Sequence, residues 1–240
     1  MKKITILLLL SISFSQYPGG NISLMFSFPQ GELKEQEVPW GVGIDMNGIY
    51  YINKYLGFGI NFGGLQYGKS KRAIPFNYFS DLVTITEETT NNLGYGHAFF
   101  RIIPFSGAIQ PYIEGLIGMK NLTTTTRLYN EDCADDQSTD HDDCEIASSN
   151  NLTDNAFSYG AGTGLNVMIT TLKNNEGESQ GDLLFYLGFK YLWGGEADYL
   201  KEGDITFSDP ADGPVQTYWN HSTSKTDLMQ FNIGLHFNLK

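Results

Sequence analysis

Only two cysteines occur among the 240 residues, basic residues number 15 against 27 acidic ones, and apolar runs of any length are confined to the N-terminus. Each scarcity excludes something. A net charge of −12 excludes a nucleic-acid binder, because contact with phosphate needs a basic surface. No segment approaches the roughly 18 to 20 consecutive apolar residues of a transmembrane helix, so no helical anchor is expected. With no cysteine near the N-terminus, a lipoprotein anchor is also unsupported. The same acidity suggests a surface that attracts divalent cations.

The short apolar run that does exist is an export signal. Lys2 and Lys3 precede apolar residues 4–12, and Ser13, Phe14 and Ser15 supply a small-x-small cleavage pattern. Residues 1–15 are therefore read as a signal peptide and 16–240 as the exported domain. Removing the two lysines makes the mature chain still more acidic.

The rest of the chain is rich in Gly and aromatic residues, and they alternate. Leu56, Phe58, Ile60 and Phe62 are interleaved with Gly57, Gly59, Asn61 and Gly63. A helix needs apolar residues three and four apart and loses about 1 kcal/mol per interior Gly, whereas a strand with two unlike faces wants this period of two. Eight such segments are expected, at about 21–28, 40–51, 55–67, 91–103, 109–127, 156–169, 183–191 and 229–237. In the fourth, Tyr95, His97 and Phe99 oppose Gly94, Gly96 and Ala98, and the adjacent Phe99 and Phe100 leave its faces undecided.

The links alternate in length. Those at 52–54, 104–108 and 172–180 are short, and those at 29–39, 68–90, 130–153 and 194–224 are long and polar. Short turns at one end and long loops at the other are the pattern of outer-membrane barrels. The expected fold is all-β: an eight-stranded antiparallel transmembrane up-and-down barrel with long extracellular loops and both termini periplasmic. Residues 82–86, 205–207 and 215–219 have strand character and are expected to extend hairpins beyond the membrane. Trp40, Tyr50, Tyr55, Tyr95, Tyr159, Tyr191 and Trp193 lie near expected strand ends, as interfacial girdles would. A soluble barrel of lipocalin type would instead turn charge outward, and here the positions between the apolar ones are mostly Gly, Ser, Asn and Gln.

A family resemblance rests on three runs. Q-P-Y-I-E-G-L-I-G at 110–118 resembles a strand of the small outer-membrane barrels related to the OmpA transmembrane domain and OmpX. F-S-Y-G-A-G-T-G at 157–164 is similar to the next strand of that group, and M-Q-F-N-I-G-L-H-F at 229–237 to its last. The resemblance spans most of 16–240 and implies an outer-membrane, cell-surface barrel, surrounded by lipid and lipopolysaccharide and assembled by the barrel-assembly machinery. Such chains often end on the aromatic residue, whereas Phe237 here is followed by Asn238, Leu239 and Lys240.

Candidate functional residues fall in two places. Asp45, Glu114, Lys120 and Lys190 are expected inside the barrel, where burial demands pairing, and Glu114 with Lys190 is the expected couple. They form either a polar plug or gate, or a charge network that fills a closed interior. Eight strands leave an interior just wide enough for side chains, so a general diffusion pore is not expected. Cys133 and Cys144, sharing one loop of an exported chain, are expected to form a disulfide. Asp135, Asp136, Asp140, Asp142 and Asp143 around it are candidate Ca²⁺ ligands, or a bridge to lipopolysaccharide, against the plainer reading of a solvated acidic loop without EF-hand spacing. No other cofactor is implied. His221 beside Ser222 and Ser224 is the one hint of catalysis, without an assignable acid. His97 and His236 are read as strand residues. The function expected is non-enzymatic: membrane integrity, adhesion or recognition of an unidentified surface ligand by a monomer. A narrow channel is the first alternative and a lipid-modifying enzyme the second.

Overall fold

Strands β1 (Tyr17–Pro29), β2 (Gly41–Asn53), β3 (Leu56–Asn77), β4 (Ser80–Ile102), β5 (Ile109–Asn130), β6 (Glu145–Lys173), β7 (Ser179–Gly194) and β12 (Leu228–Leu239) close into one antiparallel barrel. Each pairs with its neighbours in sequence, and β1 pairs with β12 at the seam. This computed structural model describes residues 17–77, 80–130, 145–173, 177–201, 204–207 and 217–239. The signal segment 1–15 lies outside the described residues, as do Cys133, Cys144 and the acidic positions 135, 136, 140, 142 and 143.

The alternation in the sequence becomes an outside and an inside. Ile22, Leu24, Ile44, Met46, Phe58, Ile60, Phe62, Ile113, Ile117, Phe189 and Phe231 project outward and are exposed, an apolar belt with no place in water. Trp40 bounds it at one end of β2 and Tyr50 at the other, both on the surface. Ten residues at about 3.3 Å each, tilted by about 40°, separate them by about 25 Å along the barrel axis, the height of the apolar band of a membrane-spanning barrel. Phe28 stacks on Trp40, and Tyr159 and Tyr191 pack around Trp193, all at the same end. Tyr55 and Phe105 mark the other end. Tyr95 departs from the expected girdle: it is buried inside the barrel.

Local chemistry sets the tight turns. Between β2 and β3 the Asn53 side-chain oxygen accepts hydrogen bonds from the backbone amides of Tyr55 (2.8 Å) and Leu56 (3.0 Å), an Asx turn that needs no further residues. At the opposite end the strands outrun the belt. The β3–β4 hairpin continues through residues 82–86, and β6 begins at Glu145, well before the expected start at 156. Side-chain hydrogen bonds lace this polar extension: Asn121 to Asn155 (2.9 Å), Thr125 to Asn150 (2.9 Å) and Asn151 to Thr126 (2.6 Å). The last long link folds into two small ladders. There β8 (Glu196–Tyr199) pairs with β11 (Ser222–Lys225), and β9 (Ile205–Phe207) pairs with β10 (Thr217–Trp219). The first long link carries a single helical turn, α1 (Gly31–Glu35).

Candidate functional site

Inward-facing positions carry polar and charged side chains, many of which pair with one another, while buried Asn166 and Asn232 have side-chain amides without a protein partner among the described residues. Nearest the turns, the Tyr51 hydroxyl meets His236 Nε2 at 2.9 Å, and the same ring nitrogen lies 2.9 Å from Asn238 Oδ1. Above them Arg101 donates from Nε (2.9 Å) and Nη2 (2.7 Å) to Glu114 Oε2. Its guanidinium also lies 4.1 Å over the Tyr112 ring, which stacks on Tyr186. Gly164 makes this stack possible, since a Cβ there would run into the Leu187 carbonyl oxygen and the Tyr112 hydroxyl.

A second cluster gathers on Asp45. Its Oδ2 accepts from Lys190 Nζ (2.9 Å), from Asn61 Nδ2 (2.8 Å) and from the Tyr95 hydroxyl, and Lys190 donates again to Asn61 Oδ1 at 3.0 Å. Nearby, His97 Nε2 and the Ser158 hydroxyl are 3.0 Å apart. Lys120 is fully buried and points its ammonium at two carbonyl oxygens, those of Leu192 (3.1 Å) and Thr226 (2.5 Å).

The long-loop end of the lumen is closed by an apolar layer. Leu33, projecting from α1, is 2% exposed and sits among Val38, Leu65, Tyr67, Leu93, Leu122 and Leu228. The turn is clasped from outside by polar contacts: Glu32 Oε1 meets Lys225 Nζ at 3.1 Å, and the Gln30 amide donates to the Asp227 carbonyl at 2.9 Å. Gly31, the first residue of α1, and Glu37, two residues past its end, both have left-handed φ values, 55° and 59°. For Glu37 that is a strained conformation.

All four charges named from the sequence are buried inside, but not in the expected couples. Lys190 pairs with Asp45, and Glu114 pairs with Arg101, which sequence reasoning missed. The signal for Arg101 was available. It shares the parity of Tyr95, His97 and Phe99, and a guanidinium is costly on the lipid side even near a strand end, which favours that whole face as the internal one. Lys120 has no carboxylate within ion-pair distance among the described residues.

Above the Leu33 layer lies a cleft of about 510 Å³. One wall is the β3–β4 extension, contributing Tyr67, Gly68, Lys69, Ser70, Glu87, Thr89 and Asn91. The first loop supplies Gln36, Glu37, Val38 and Pro39, and the last supplies Leu200, Lys201 and Asp204. Lys201 Nζ donates to Gln36 Oε1 at 3.1 Å and ties the two loops together. Below the rim, Glu88 binds both Lys69 (2.7 Å) and Lys71 (3.1 Å); burial opposes its ionisation, yet the hydrogen bonds from the two ammonium groups hold its carboxyl below the usual value.

The serine and histidine cluster does not assemble a nucleophile. Ser224 is buried, with its hydroxyl 3.1 Å from that of Tyr199, while exposed His221 lies 3.8 Å from Asp198, whose other carboxylate oxygen accepts from Thr223. No hydrogen bond joins His221 to Ser222 or Ser224 among the described residues.

No family model and no curated protein matches the chain. Solved structures of small outer-membrane proteins do align along most of it at low identity. Neisserial surface protein A is 12% identical, with a TM-score of 0.40, covering 94% of this chain and 96% of its own. The attachment invasion locus protein Ail of Yersinia pestis, solved with the heparin analogue sucrose octasulfate, is 11% identical at a TM-score of 0.33, covering 93% and 97%. A major outer membrane protein of Thermus thermophilus is 10% identical at 0.34, covering 94% and 100%.

Proposed function

We propose that this chain is a monomeric bacterial outer-membrane barrel that acts by recognition at its long-loop end, and that it neither conducts nor catalyses. The observation that carries the reading is the double closure of the lumen. The Asp45–Lys190 and Arg101–Glu114 pairs fill the middle, and Leu33 with its apolar ring covers the end where the long loops gather. A barrel shut in this way has no path for solute, and its remaining elaboration is in the loops. The apolar belt suits a bilayer, and a chain with an export signal and strands in place of spanning helices is suited to the outer membrane. The long loops then face outward toward lipopolysaccharide and the surroundings, with the turns and termini in the periplasm. Phe237, outward on β12, is positioned as a recognition residue for the barrel-assembly machinery.

Planar-bilayer recording of the purified protein, together with whole-cell binding after exchange of the four long loops, tests this. No conductance steps and loss of binding on loop exchange are expected. The polar interior favours one alternative, a narrow channel, and discrete steps of uniform size would establish it.

A further inference from the structure

We infer that the cleft above the Leu33 layer is a binding site for a neutral saccharide unit, one or two sugar rings in size. This deepens the recognition reading and rests on it. The volume, about 510 Å³, falls inside the roughly 300–1,000 Å³ range of small-molecule sites. Two polar side chains in its lining are more than nine-tenths buried and incompletely partnered. Asn91, 8% exposed, accepts from Thr124 Oγ1 at 2.7 Å through Oδ1, which leaves its Nδ2 donor with no protein partner among the described residues. Tyr67, 7% exposed, has a hydroxyl without a partner that is sealed beneath the cleft floor, beside the Leu33 layer. The reachable unmet donor is therefore that of Asn91, and a ligand that meets it is favoured over one that does not.

Gly68 keeps the amide reachable. It stands opposite Asn91 in the β3–β4 ladder, and a Cβ on it would approach Nδ2 to 3.1 Å. The chain path also offers its own backbone. Pairing between β2 and β3 stops at Val42 and Gln66, and beyond the bulge at Gln66/Gly68 the strand pairs with β4 alone among the described residues. Carbonyls and amides on that edge of 68–70 therefore border the cleft.

The class of ligand follows from which charges are available. Of the two ammonium groups in the lining, Lys69 is paired with the Glu88 carboxylate, whereas Lys201 donates to the neutral Gln36 amide and keeps its charge, so among the described residues a phosphate or sulfate would meet a single unpaired ammonium. Two carboxylates of the lining, Glu37 and Asp204, outnumber that ammonium and would repel an anion. Hydroxyl groups, each donor and acceptor at once, suit a lining of carboxylates, amides and side-chain hydroxyls. Val38, Pro39 and Leu200 supply an apolar patch for the C–H face of a sugar ring.

The test uses the full chain in phosphatidylcholine nanodiscs, free of maltoside detergents whose headgroups would compete. Maltose, lactose, cellobiose and diacetylchitobiose are titrated and followed by calorimetry, with dextran sulfate as the anionic control. At least one disaccharide should bind, and dextran sulfate should neither bind nor displace it. Asn91→Asp keeps the acceptor for Thr124 and removes the donor; Gly68→Val covers it. Each should weaken binding at least tenfold, with heat-modifiable migration on gels unchanged to show that the barrel is folded. If no disaccharide binds, if both folded variants bind as the parent does, or if dextran sulfate binds instead, the saccharide site is overturned. Should that happen while loop exchange still abolishes whole-cell binding, recognition survives and only the site fails. With the binding sugar displayed on a glycolipid, capture of vesicles assigns it to a foreign surface. Binding only to glycolipid within the same nanodisc assigns it to the protein's own membrane. Either result supports the site.

Discussion

Asp45 and Lys190 are 145 residues apart in the chain and meet at 2.9 Å in the middle of the lumen, both withdrawn from water. Removing one partner strands the other, at a cost of about 3–5 kcal/mol, whereas replacing both with neutral groups of similar size is far less costly. Asp45→Asn and Lys190→Met should therefore each lower unfolding stability in urea and lipid by more than the double variant does. The same cycle on Glu114 and Lys190 should give a smaller coupling, because Glu114 answers to Arg101.

Leu187 faces outward near the middle of β7, paired with Leu165 and Ile233. Arginine at that position should cost about 2–4 kcal/mol or prevent assembly. Folding yield into lipid vesicles measures it, and normal assembly of Leu187→Arg would reverse the assignment of faces.

What could be read in advance follows the strength of the alternation. In β7 and β12 every second residue is bulky and apolar, and β6 keeps that rhythm over 157–169 except at Ala161 and Thr163, so these outward faces were plain. In β4 aromatic residues occupy the interior while Gly94 and Gly96 sit outside, so residue size left the faces undecided and only the charge on Arg101 carried the answer. The polar extension of β6 gave no apolar rhythm, since Thr–Asn hydrogen bonds hold it. The five residues of α1 are too few for helical periodicity. The ion pairs lay beyond reach for another reason. Sequence tells which charges face inward, but strand tilt and stagger decide which of them meet.

The lumen has two barriers in series, and this has a measurable consequence. Leu33→Ala should loosen the outer layer, with a loss of about 2–5 kcal/mol in local stability, and still show no conductance, because the charge pairs beneath remain. Conductance should arise, if at all, only when Leu33→Ala is combined with Asp45→Asn and Lys190→Met. Opening by Leu33→Ala alone in planar bilayers would assign the seal to α1.

The clasp on α1 is acid-sensitive. Glu32 accepts from the Lys225 amide and ammonium, which hold its carboxyl below the usual 4.5, and the same contact raises Lys225 above 10.5. A depressed carboxyl contributes fully above its unfolded value and loses that contribution as pH falls through the folded one; the raised ammonium loses its share only as pH climbs above 10.5. Hydrogen exchange of the α1 amides, corrected for intrinsic rates, should be slowest between about pH 5 and 9, faster near pH 3, and less pH-dependent in Glu32→Gln. Equal protection in parent and variant across that range would show the clasp to be inert.

The seam between β1 and β12 dictates an order of events. Eleven residue pairs, from Gly19 with Asn238 to Pro29 with Leu228, join the start of the described chain to its end. Until the last strand has been synthesised and exported, β1 offers one open row of amides and carbonyls, and the belt has no bilayer to enter. An unfinished chain is thus a sticky ribbon in an aqueous compartment, prone to pair with its own copies. The ring cannot close piecemeal during synthesis, and on the proposed outer-membrane reading the whole length has to be kept unpaired until insertion.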